Sequence, residues 1–541
     1  MAQPWMLNSL AGLLGGLSVA VLPASLQGTS NSLGEAGIDA YRLQAAPYNL
    51  SGNKIAIGQV EIGRPGKFGV DKAVSQSWAI ALLRVFFRDG PAKGNDNVDT
   101  HAQNVASIMV SADPTLLGIA PKSRLYSSAV GLLNRNGQPE ECLSAQHIAQ
   151  QNGGDVRAIN FSFGESLKQD PRPRARLDGN ALLTLCLDWS SRVHDVSYVV
   201  AGNQGKGGIS IPTDNFNGIN VAFTRRLTSK GAFVQVDPAN LGDELAAPLG
   251  ERSLGLESNV GPRRAISLVA PGSNIVALNP DGRTTRVTGT SFAAPHVTAS
   301  VALLQEFADT ARRRGSSQWG LDARRHEVMK AVLLNSADKI QDRGDGWSLG
   351  MSRTIFDQSQ QDWLASDAYR DRTIPLHRQM GTGQLNTFRA YQQFQPGQWG
   401  PNASVPPIGW DYRAVTATDP NSFAFQDYVL EQPLQQGSFV SVTLAWDRQV
   451  ELQDQNRNGE YDINESFRDR GLNNLDLYLM RAEENDPANS IWASVSEVDS
   501  VEHIFYPIPT TGRYKIRVLY RQQVNQATQP YALAWWTLPA R

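Results

Sequence analysis

The sequence predicts two folded units: an α/β unit with a parallel sheet covered by helices on both faces, followed by an antiparallel β-sandwich or jelly roll. From about residue 50, short apolar runs alternate with amphipathic segments, which is typical of a parallel sheet with crossover helices. Beyond the stretch QPGQWGPNASVPPIGW, apolar residues recur at every second position. That period is typical of antiparallel strands with one face in the core.

The apolar runs of the first unit follow one another as alternating strands and helices should. They are KIAIGQVEI, HAQNVASIMV, SRLYSSAV, ECLSAQHIAQQ, VRAINFSF, ARLDGNALLTLCLDWSSRV, VSYVVAG and INVAFT, followed by the helices SFAAPHVTASVALLQEF and RHEVMKAVLLNSA. The second unit contains GSFVSVTLAW, LDLYLM, EHIFYPI, GRYKIRVLY and YALAWW. We predict an apolar N-terminal segment and short arm over residues 1–44, the α/β unit over 45–393, a linker over 394–411 and the sandwich over 412–541.

The composition excludes two classes of partner. The 541 residues include 50 basic and 52 acidic side chains, a formal net charge of -2. This balance gives no counterion-release drive toward nucleic acid and no polybasic attraction to anionic lipid. After the N-terminal segment, no run is long and apolar enough to span a bilayer. Cys142 and Cys186 are too few for a disulfide framework and lack zinc-finger spacing, so we expect core positions and leave their pairing open.

The N-terminal segment resembles a signal peptide. No charged residue precedes Glu35, and LAGLLGGLSVAVL, residues 10–22, is followed by Pro-Ala-Ser. A basic n-region and a clean cleavage site are absent, so a disordered or interfacial arm is the alternative. We predict a secreted or periplasmic protein, with a cytoplasmic one as the alternative.

A candidate nucleophile lies in GTSFAAPHVTAS, residues 289–300. A serine at a helix N-terminus is close to unpaired N–H groups and the positive end of the helix dipole, which stabilise a developing oxyanion. Taken alone, Ser291 could be an ordinary N-cap. The whole string, however, resembles the Gly-Thr-Ser-x-Ala-x-Pro-His signature of the subtilisin-like serine peptidases. This resemblance implies a subtilisin-like fold and a nucleophilic Ser291.

The resemblance implies a general base at His101, in THAQNVASIMV. A serine hydroxyl is a weak nucleophile unless a base, usually histidine, lies within hydrogen-bond reach. The string is similar in part to the family's His-Gly-Thr-x-Val-Ala-Gly motif, because Val105 and Ala106 are in register while three neighbouring positions differ. The other six histidines match no base motif.

The carboxylate that orients the base is predicted in IAIGQVEIGRPG, residues 55–66. In the family the first strand ends in Asp-Ser/Thr-Gly, and Glu61-Ile62-Gly63 occupies those positions here. Glu61 would hold the imidazole in the correct tautomer, with one more rotatable bond than Asp has. Alternatively, an acid at the end of a buried strand is only a turn residue.

Other segments resemble the family's oxyanion and substrate-binding parts. SYVVAGNQG, residues 197–205, resembles the strand that ends in Ala-Gly-Asn-x-Gly, which implies an oxyanion donor at Asn203 with Gly202 and Gln204 beside the substrate. Ser162-Phe163-Gly164 resembles the segment whose backbone pairs with an extended substrate. GIAP, SNVG, VAPG and GTGQLN also resemble family segments, so the resemblance spans residues 45 to 392.

The second unit contains a candidate calcium loop, DQNRNGEYDINE, residues 454–465. Hard oxygen ligands at alternating positions, a central glycine and a terminal Glu fit a Ca²⁺-binding loop. The predicted ligands are Asp454, Asn456, Asn458, Asp462, Glu465 and the backbone carbonyl of Glu460. No helix pair flanks the loop, so an Asp- and Asn-rich turn without metal is the alternative. The strand-like runs around it resemble the sandwich domain of some subtilisin-like peptidases.

We therefore predict a serine endopeptidase that works through an acyl-enzyme and needs no cofactor for catalysis. Its partners would be protein or peptide substrates, and we expect a monomer. A catalytically silent subtilisin fold used for binding or as a scaffold is the alternative. The related acid-active Ser-Glu-Asp peptidases would require Asp at position 203 and a Glu on the helix of His101, and neither is present. The chain between the apolar run and the first strand is expected to be too short for a folded pro-domain.

Overall fold

The structure is a computed structural model that describes most of the chain. It covers residues 32–540 except 76–77, 133–136, 166, 203–210, 238–258, 261 and 418–422, and for residues 168, 259 and 260 it describes the backbone alone. The predicted signal-like segment at residues 10–22, Asn203 and Gln204 therefore lie outside the described residues.

A mostly parallel sheet forms the centre of the first unit. Its described strands have the order β10-β9-β8-β7-β1-β6-β2-β3, with β13 beside β9. The strands of this unit are β1 (Ala56–Glu61), β2 (Leu82–Phe87), β3 (Gly90–Pro91), β4 (Ala112–Asp113), β5 (Leu116–Leu117), β6 (Arg124–Ala129), β7 (Val156–Phe161), β8 (Ser197–Ala201), β9 (Ile219–Leu227), β10 (Ala232–Val236), β11 (Asn259–Val260), β12 (Arg263–Arg264), β13 (Leu268–Pro271), β14 (Ile275–Leu278) and β15 (Thr284–Val287).

Helices cover both faces of this sheet. They are α1 (Tyr41–Gln44), α2 (Thr100–Val110), α3 (Gln138–Ala149), α4 (Gln151–Gly154), α5 (Leu182–His194), α6 (Ala294–Arg313), α7 (His326–Asn335), α8 (Asp367–Arg370) and α9 (Thr387–Phe394). One apolar core contains α2, α6 and α7, and a second contains α3 and α5. The predicted α/β class is confirmed. Among the described residues, no helix is both long and apolar enough to cross a bilayer.

The second unit is a sandwich of two antiparallel sheets, as predicted. One has the order β16-β25-β18-β23 and the other β17-β24-β21-β22, while β19 and β20 form a separate hairpin. The strands are β16 (Ile408–Thr416), β17 (Phe425–Val429), β18 (Phe439–Trp446), β19 (Gln449–Gln453), β20 (Ser466–Gly471), β21 (Asn474–Arg481), β22 (Trp492–Ser494), β23 (Val501–Pro507), β24 (Tyr514–Gln522) and β25 (Thr528–Trp536). Residues from both sheets share one core.

Two of the predicted boundaries need correction. Residues 32–44, predicted as part of an arm, belong to the α/β unit, because Leu33, Ile38 and Leu43 are buried in its main core. The linker predicted over residues 394–411 runs only between α9 and β16, over 395–407. It is held against its neighbours, since the Trp399 N–H donates to the Trp410 carbonyl and Trp410 is fully buried.

The sandwich is fastened to the α/β unit by buried polar contacts. The Arg448 guanidinium, 2% exposed, donates to Asp188 of α5 at 2.6 Å and lies 4.3 Å from the centre of the Phe216 ring. The ring of His326 on α7 contacts Asp447 at 2.9 Å on one side and Asp195 at 2.9 Å on the other. Because a buried charge is costly unless it is paired, these contacts fix how the two units meet.

Cys142 of α3 and Cys186 of α5 form a disulfide. Both fill core positions, as the sequence predicted, and their pairing answers the question that it left open. The bond joins two helices that lie side by side on one face of the sheet. It therefore closes a loop between residues separated by 44 positions.

We predict that the double variant Cys142→Ala/Cys186→Ala has a free energy of unfolding lower by about 4 kcal/mol, because the loop constraint on the unfolded chain is lost. Guanidinium denaturation of oxidised protein measures the difference. Reductant should shift the midpoint of the parent and leave that of the double variant unchanged. An equal shift in both proteins would contradict the assignment.

Candidate functional site

The site begins at the carboxyl end of β1, the strand between β6 and β7 in the sheet. All three strands are parallel, so their carboxyl ends meet at one edge, where open α/β sheets bind ligands. Glu61 is the last residue of β1 and is only 1% exposed. The sheet therefore delivers one buried carboxylate to this edge.

The turn after Glu61 is locked to the segment that leads into α2. The Arg64 N–H donates to the Asn97 carbonyl at 2.8 Å, and the Asp99 N–H donates to the Arg64 carbonyl at 2.9 Å. The two chains approach so closely that a Cβ at Gly63 would lie 2.2 Å from the Cβ of Asp99. Only glycine fits there, which explains the Glu-Ile-Gly sequence of the turn.

A buried ion pair also fixes the position of this turn. The guanidinium of Arg64 donates to both carboxylate oxygens of Asp71, at 2.7 and 2.8 Å, and both side chains are fully buried. The backbone N–H groups of Lys67 and Asn95 also donate to Asp71. These hydrogen bonds outweigh burial and hold the pKa of Asp71 below its ordinary value. The sequence analysis did not single out Arg64 or Asp71, because neither residue belongs to a catalytic motif.

His101 is the second residue of α2 and faces Glu61. Asp99 caps the helix by accepting the Ala102 N–H at 3.0 Å, and the Gln59 side chain of β1 donates to the Ala102 carbonyl at 2.9 Å. With the helix start fixed, His101 Nδ1 lies 3.3 Å from Glu61 Oε2. The imidazole is 39% exposed and the carboxylate 2%, so the pair connects the buried strand end to the surface.

The electrostatics of this pair favour a charged imidazole. Burial alone would lower the pKa of His101, but the negative charge of Glu61, its hydrogen bond to the ring and the charge of Asp99 together raise that pKa above its ordinary value. An imidazolium formed here is therefore stabilised. This is the electrostatic condition for a base that takes up a proton during a reaction.

Ser291 lies in a short 3₁₀ turn, Thr290–Phe292, immediately before α6. Its neighbour Phe292 places its ring 5.3 Å from the His101 ring, centre to centre. Ser291 Oγ donates to the Ser162 carbonyl at 3.1 Å, and Ser162 Oγ donates to the Ser291 carbonyl at 2.9 Å. The structure thus brings Ser291, the His101 helix and the Ser162 segment to the same edge of the sheet.

The predicted substrate-binding residues occupy different surroundings. Ser162 is the residue paired with Ser291, and Gly164 is half-buried. The Phe163 side chain is buried and stacks on Phe161 at 4.9 Å, so only its backbone can meet a substrate. Gly202, at the end of β8, accepts the Thr290 hydroxyl through its carbonyl at 2.8 Å.

The predicted calcium ligands lie on the loop that joins β19 to β20. The side-chain amides of Asn456 and Asn458 both approach Asp462 Oδ2, at 2.7 and 2.8 Å. Rotating either amide by half a turn would put its oxygen at the same place, because the two ends of an amide have similar shapes. Three side chains of the loop therefore converge on one point.

Two carboxylates at the ends of the loop shape it around this point. Asp454 accepts the Arg457 and Gly459 N–H groups at 2.5 and 2.8 Å. Glu465 accepts the Gln455 and Asp462 N–H groups at 2.7 and 3.0 Å. The backbone bends at Gly459, whose φ of +79° favours glycine. The donor set and the bend fit a calcium ion.

Comparison with known proteins gives one family. A model described as the subtilase family matches residues 71–351, more than half of the chain. Thermitase of Thermoactinomyces vulgaris is 24% identical over 260 residues, which span 48% of this chain and 74% of thermitase. Subtilisin Savinase of Lederbergia lenta is 26% identical over 209 residues, which span 38% of this chain and 63% of Savinase. Among solved structures, the prenylagaramide maturation protease PagA aligns with 63% of this chain and 93% of its own at 22% identity, with a TM-score of 0.39.

We predict that Glu61→Gln lowers the pKa of His101, because burial then acts without the opposing charge of the carboxylate. Titration of the imidazole by NMR in ¹⁵N-histidine-labelled protein measures the change. Asp99→Asn is the matched control, because asparagine can still cap the helix. The charge of Asp99 raises the pKa of His101 by less than the charge of Glu61 does, so this variant should lower the pKa by less. An unchanged pKa in Glu61→Gln would show that the carboxylate does not act on the ring.

Proposed function

The chain belongs to the subtilase family of serine endopeptidases, and on this premise we propose that it cleaves peptide bonds with Ser291 as nucleophile, His101 as base and Glu61 as orienting carboxylate. The observation that carries the proposal is the contact of His101 Nδ1 with Glu61 Oε2 at 3.3 Å. It leaves Nε2 as the ring nitrogen that takes the proton of Ser291.

In the proposed reaction, Ser291 Oγ attacks the peptide carbonyl while His101 takes its proton. The resulting imidazolium is stabilised by the charge of Glu61, in keeping with the raised pKa of His101. The same imidazolium then protonates the leaving amine, and water hydrolyses the acyl-enzyme with His101 again as base. No metal or cofactor is needed for these steps.

Glu61 is proposed to replace the shorter aspartate of the family without changing the chemistry. Its extra methylene requires that the strand end, the turn and the helix start be fixed in relation to each other. Support comes from the backbone hydrogen bonds between residues 64, 97 and 99, and from the close approach at Gly63. A rigid frame limits the added side-chain freedom.

The oxyanion is proposed to accept the Ser291 N–H and the Asn203 side-chain amide. The hydrogen bond from Thr290 to the Gly202 carbonyl supports this, because it joins the end of β8 to the Ser291 turn. An extended substrate would pair with the backbone of Ser162-Phe163-Gly164. Gly202 and Gln204 would line its path.

We also propose that the β19–β20 loop binds a structural Ca²⁺ through Asp454, Asn456, Asn458, the Glu460 carbonyl, Asp462 and Glu465. The convergence of amide groups on Asp462 supports this. Tyr461, inside the loop, donates its N–H to Gln146 of α3 at 2.5 Å and is 1% exposed. The bound ion would therefore fasten the sandwich to the α/β unit.

Export to an oxidising compartment is proposed as well. The buried disulfide between Cys142 and Cys186 supports it, since disulfides form and persist mainly outside the cytosol. The signal-like run at residues 10–22 agrees with this location.

We predict that a fluorophosphonate probe labels the protein at Ser291 and that Ser291→Ala abolishes labelling. Ser316→Ala, at an exposed serine beyond α6, should keep it. Glu61→Gln should lower kcat for peptide hydrolysis by roughly four decades, the cost of the corresponding amide exchange in other serine proteases. A parent protein that neither reacts with the probe nor cleaves peptides would instead support the silent scaffold.

We predict that calcium raises the melting temperature, because an ion that binds only the folded state stabilises it by about 2.7 kcal/mol at a concentration one hundred times Kd. Asp454→Ala and Glu465→Gln also remove hydrogen bonds of the loop, so the informative quantity is the difference in melting temperature with calcium and with chelator. This difference should vanish in both variants and persist in Asp281→Asn. A difference that survives in both would place the ion elsewhere.

A further inference from the structure

A pocket of about 610 Å³ lies beside the proposed substrate segment. Its walls come from the first turns of α3 and α5, the chain after Gly164 and the strand β20, and they include Gln138, Glu165, Leu182 and Phe467. The Leu183 N–H donates to the Gln138 side chain at 2.9 Å, which ties the two helix starts together. The pocket is thus lined by both units of the chain.

Two buried carboxyl groups meet at one wall of this pocket. Glu165 lines it, and Glu141, on the first turn of α3, contacts the Glu165 side chain. Their exposed fractions are 2% and 0%. The two carboxyl groups share a side-chain hydrogen bond, and within the described residues no other group donates to either oxygen of Glu141. A buried carboxylate is costly unless a proton or a cation compensates its charge, so the pair can accept a positive group.

The cationic side chain that the structure describes in this pocket is bound to other carboxylates. Arg172, the cationic side chain among the pocket residues, donates to Asp170 at 2.8 Å and to Asp178 at 2.8 Å. In the part of the chain that the structure describes, no ion pair joins a cation to Glu141 or Glu165. Burial, followed by the charge of Glu165, raises the pKa of Glu141 well above its usual range, and burial raises the pKa of Glu165 to about 7. A cation in the pocket would reverse this effect and ionise the pair.

The pocket is within reach of a bound peptide. Ser162 contacts Ser291, and Glu165 follows Ser162 by three residues. An extended chain advances by about 3.3 Å per residue, so Glu165 lies roughly 10 Å along the proposed substrate path. A substrate side chain about three positions from the scissile bond can therefore enter the pocket.

The walls suit a long side chain with a charged end. Leu182, Leu185, Pro171 and Phe467 give the pocket apolar surface, which can cover a methylene stem while the charged head reaches a carboxylate. We propose that this pocket selects a basic side chain of the peptide substrate, an arginine or a lysine, that pairs with Glu165. This inference rests on the proposed peptidase activity. Glu141 acts as a positioning residue that adds negative charge behind Glu165.

Pairs of peptide substrates test the proposal. The two peptides of a pair differ at one position, which is Arg in one and Gln in the other. That position is moved from five residues before the scissile bond to five residues after it. At one position the Arg peptide should have a kcat/KM at least roughly tenfold higher, as one charge-assisted hydrogen bond provides. Glu165→Gln should bring this ratio close to one, and Glu165→Asp should restore part of it. Asp281→Asn, which removes an exposed carboxylate elsewhere, should leave the ratio unchanged.

The outcomes separate this inference from the proposed activity. If both peptides of every pair are cleaved with equal kcat/KM, the pocket assignment is wrong, and the proposed peptidase activity still holds. Absence of cleavage of any peptide overturns the peptidase instead. Calcium or EDTA, added to peptidase assays of the parent, should leave the Arg/Gln ratio unchanged. A ratio that calcium abolishes by competition would assign the carboxyl pair to a metal ion rather than to a substrate side chain.

Discussion

The site depends on one short backbone crossing, in which the turn after β1 pairs with the segment before α2. The hydrogen bonds between Arg64 and its partners Asn97 and Asp99 set the distance between the strand end and the helix start. Glu61 and His101 are attached to these two elements, so their contact follows from the crossing. The buried Arg64–Asp71 pair keeps the turn from moving, because separating it would leave two uncompensated charges.

Buried carboxylates appear twice near this edge of the sheet, with different consequences. Glu61 faces the imidazole of His101, and its negative charge raises the pKa of that ring. Glu141 and Glu165 face each other, and among the described residues no cation pairs with them, so a proton or a bound positive group would compensate their charge. A carboxylate that faces an imidazole is typical of a catalytic site, and a pair of carboxyl groups at a pocket is typical of a ligand-binding site.

The sequence predicted the alternation of elements correctly, and its local strings supplied the residues proposed for catalysis, such as Ser291 in GTSFAAPH. It was insufficient where a role depends on contacts between distant segments. Residues 32–44 show no strong period, yet Ile38 and Leu43 enter the core. The Glu141–Glu165 contact and the disulfide join residues on different elements, and no periodicity encodes such pairs. Asn203 remains a prediction from its motif.

The hairpin β19–β20 carries Phe467 into a wall of the pocket and Tyr461 onto α3, while Arg448 reaches Asp188 inside the α/β unit. A chain divided in the segment between α9 and β16 would therefore not yield two interchangeable modules. Recombination that joined this α/β unit to a different C-terminal domain would leave Asp188 without its cation and the pocket without one side. Their interface therefore limits how freely either unit can change without a matching change in the other.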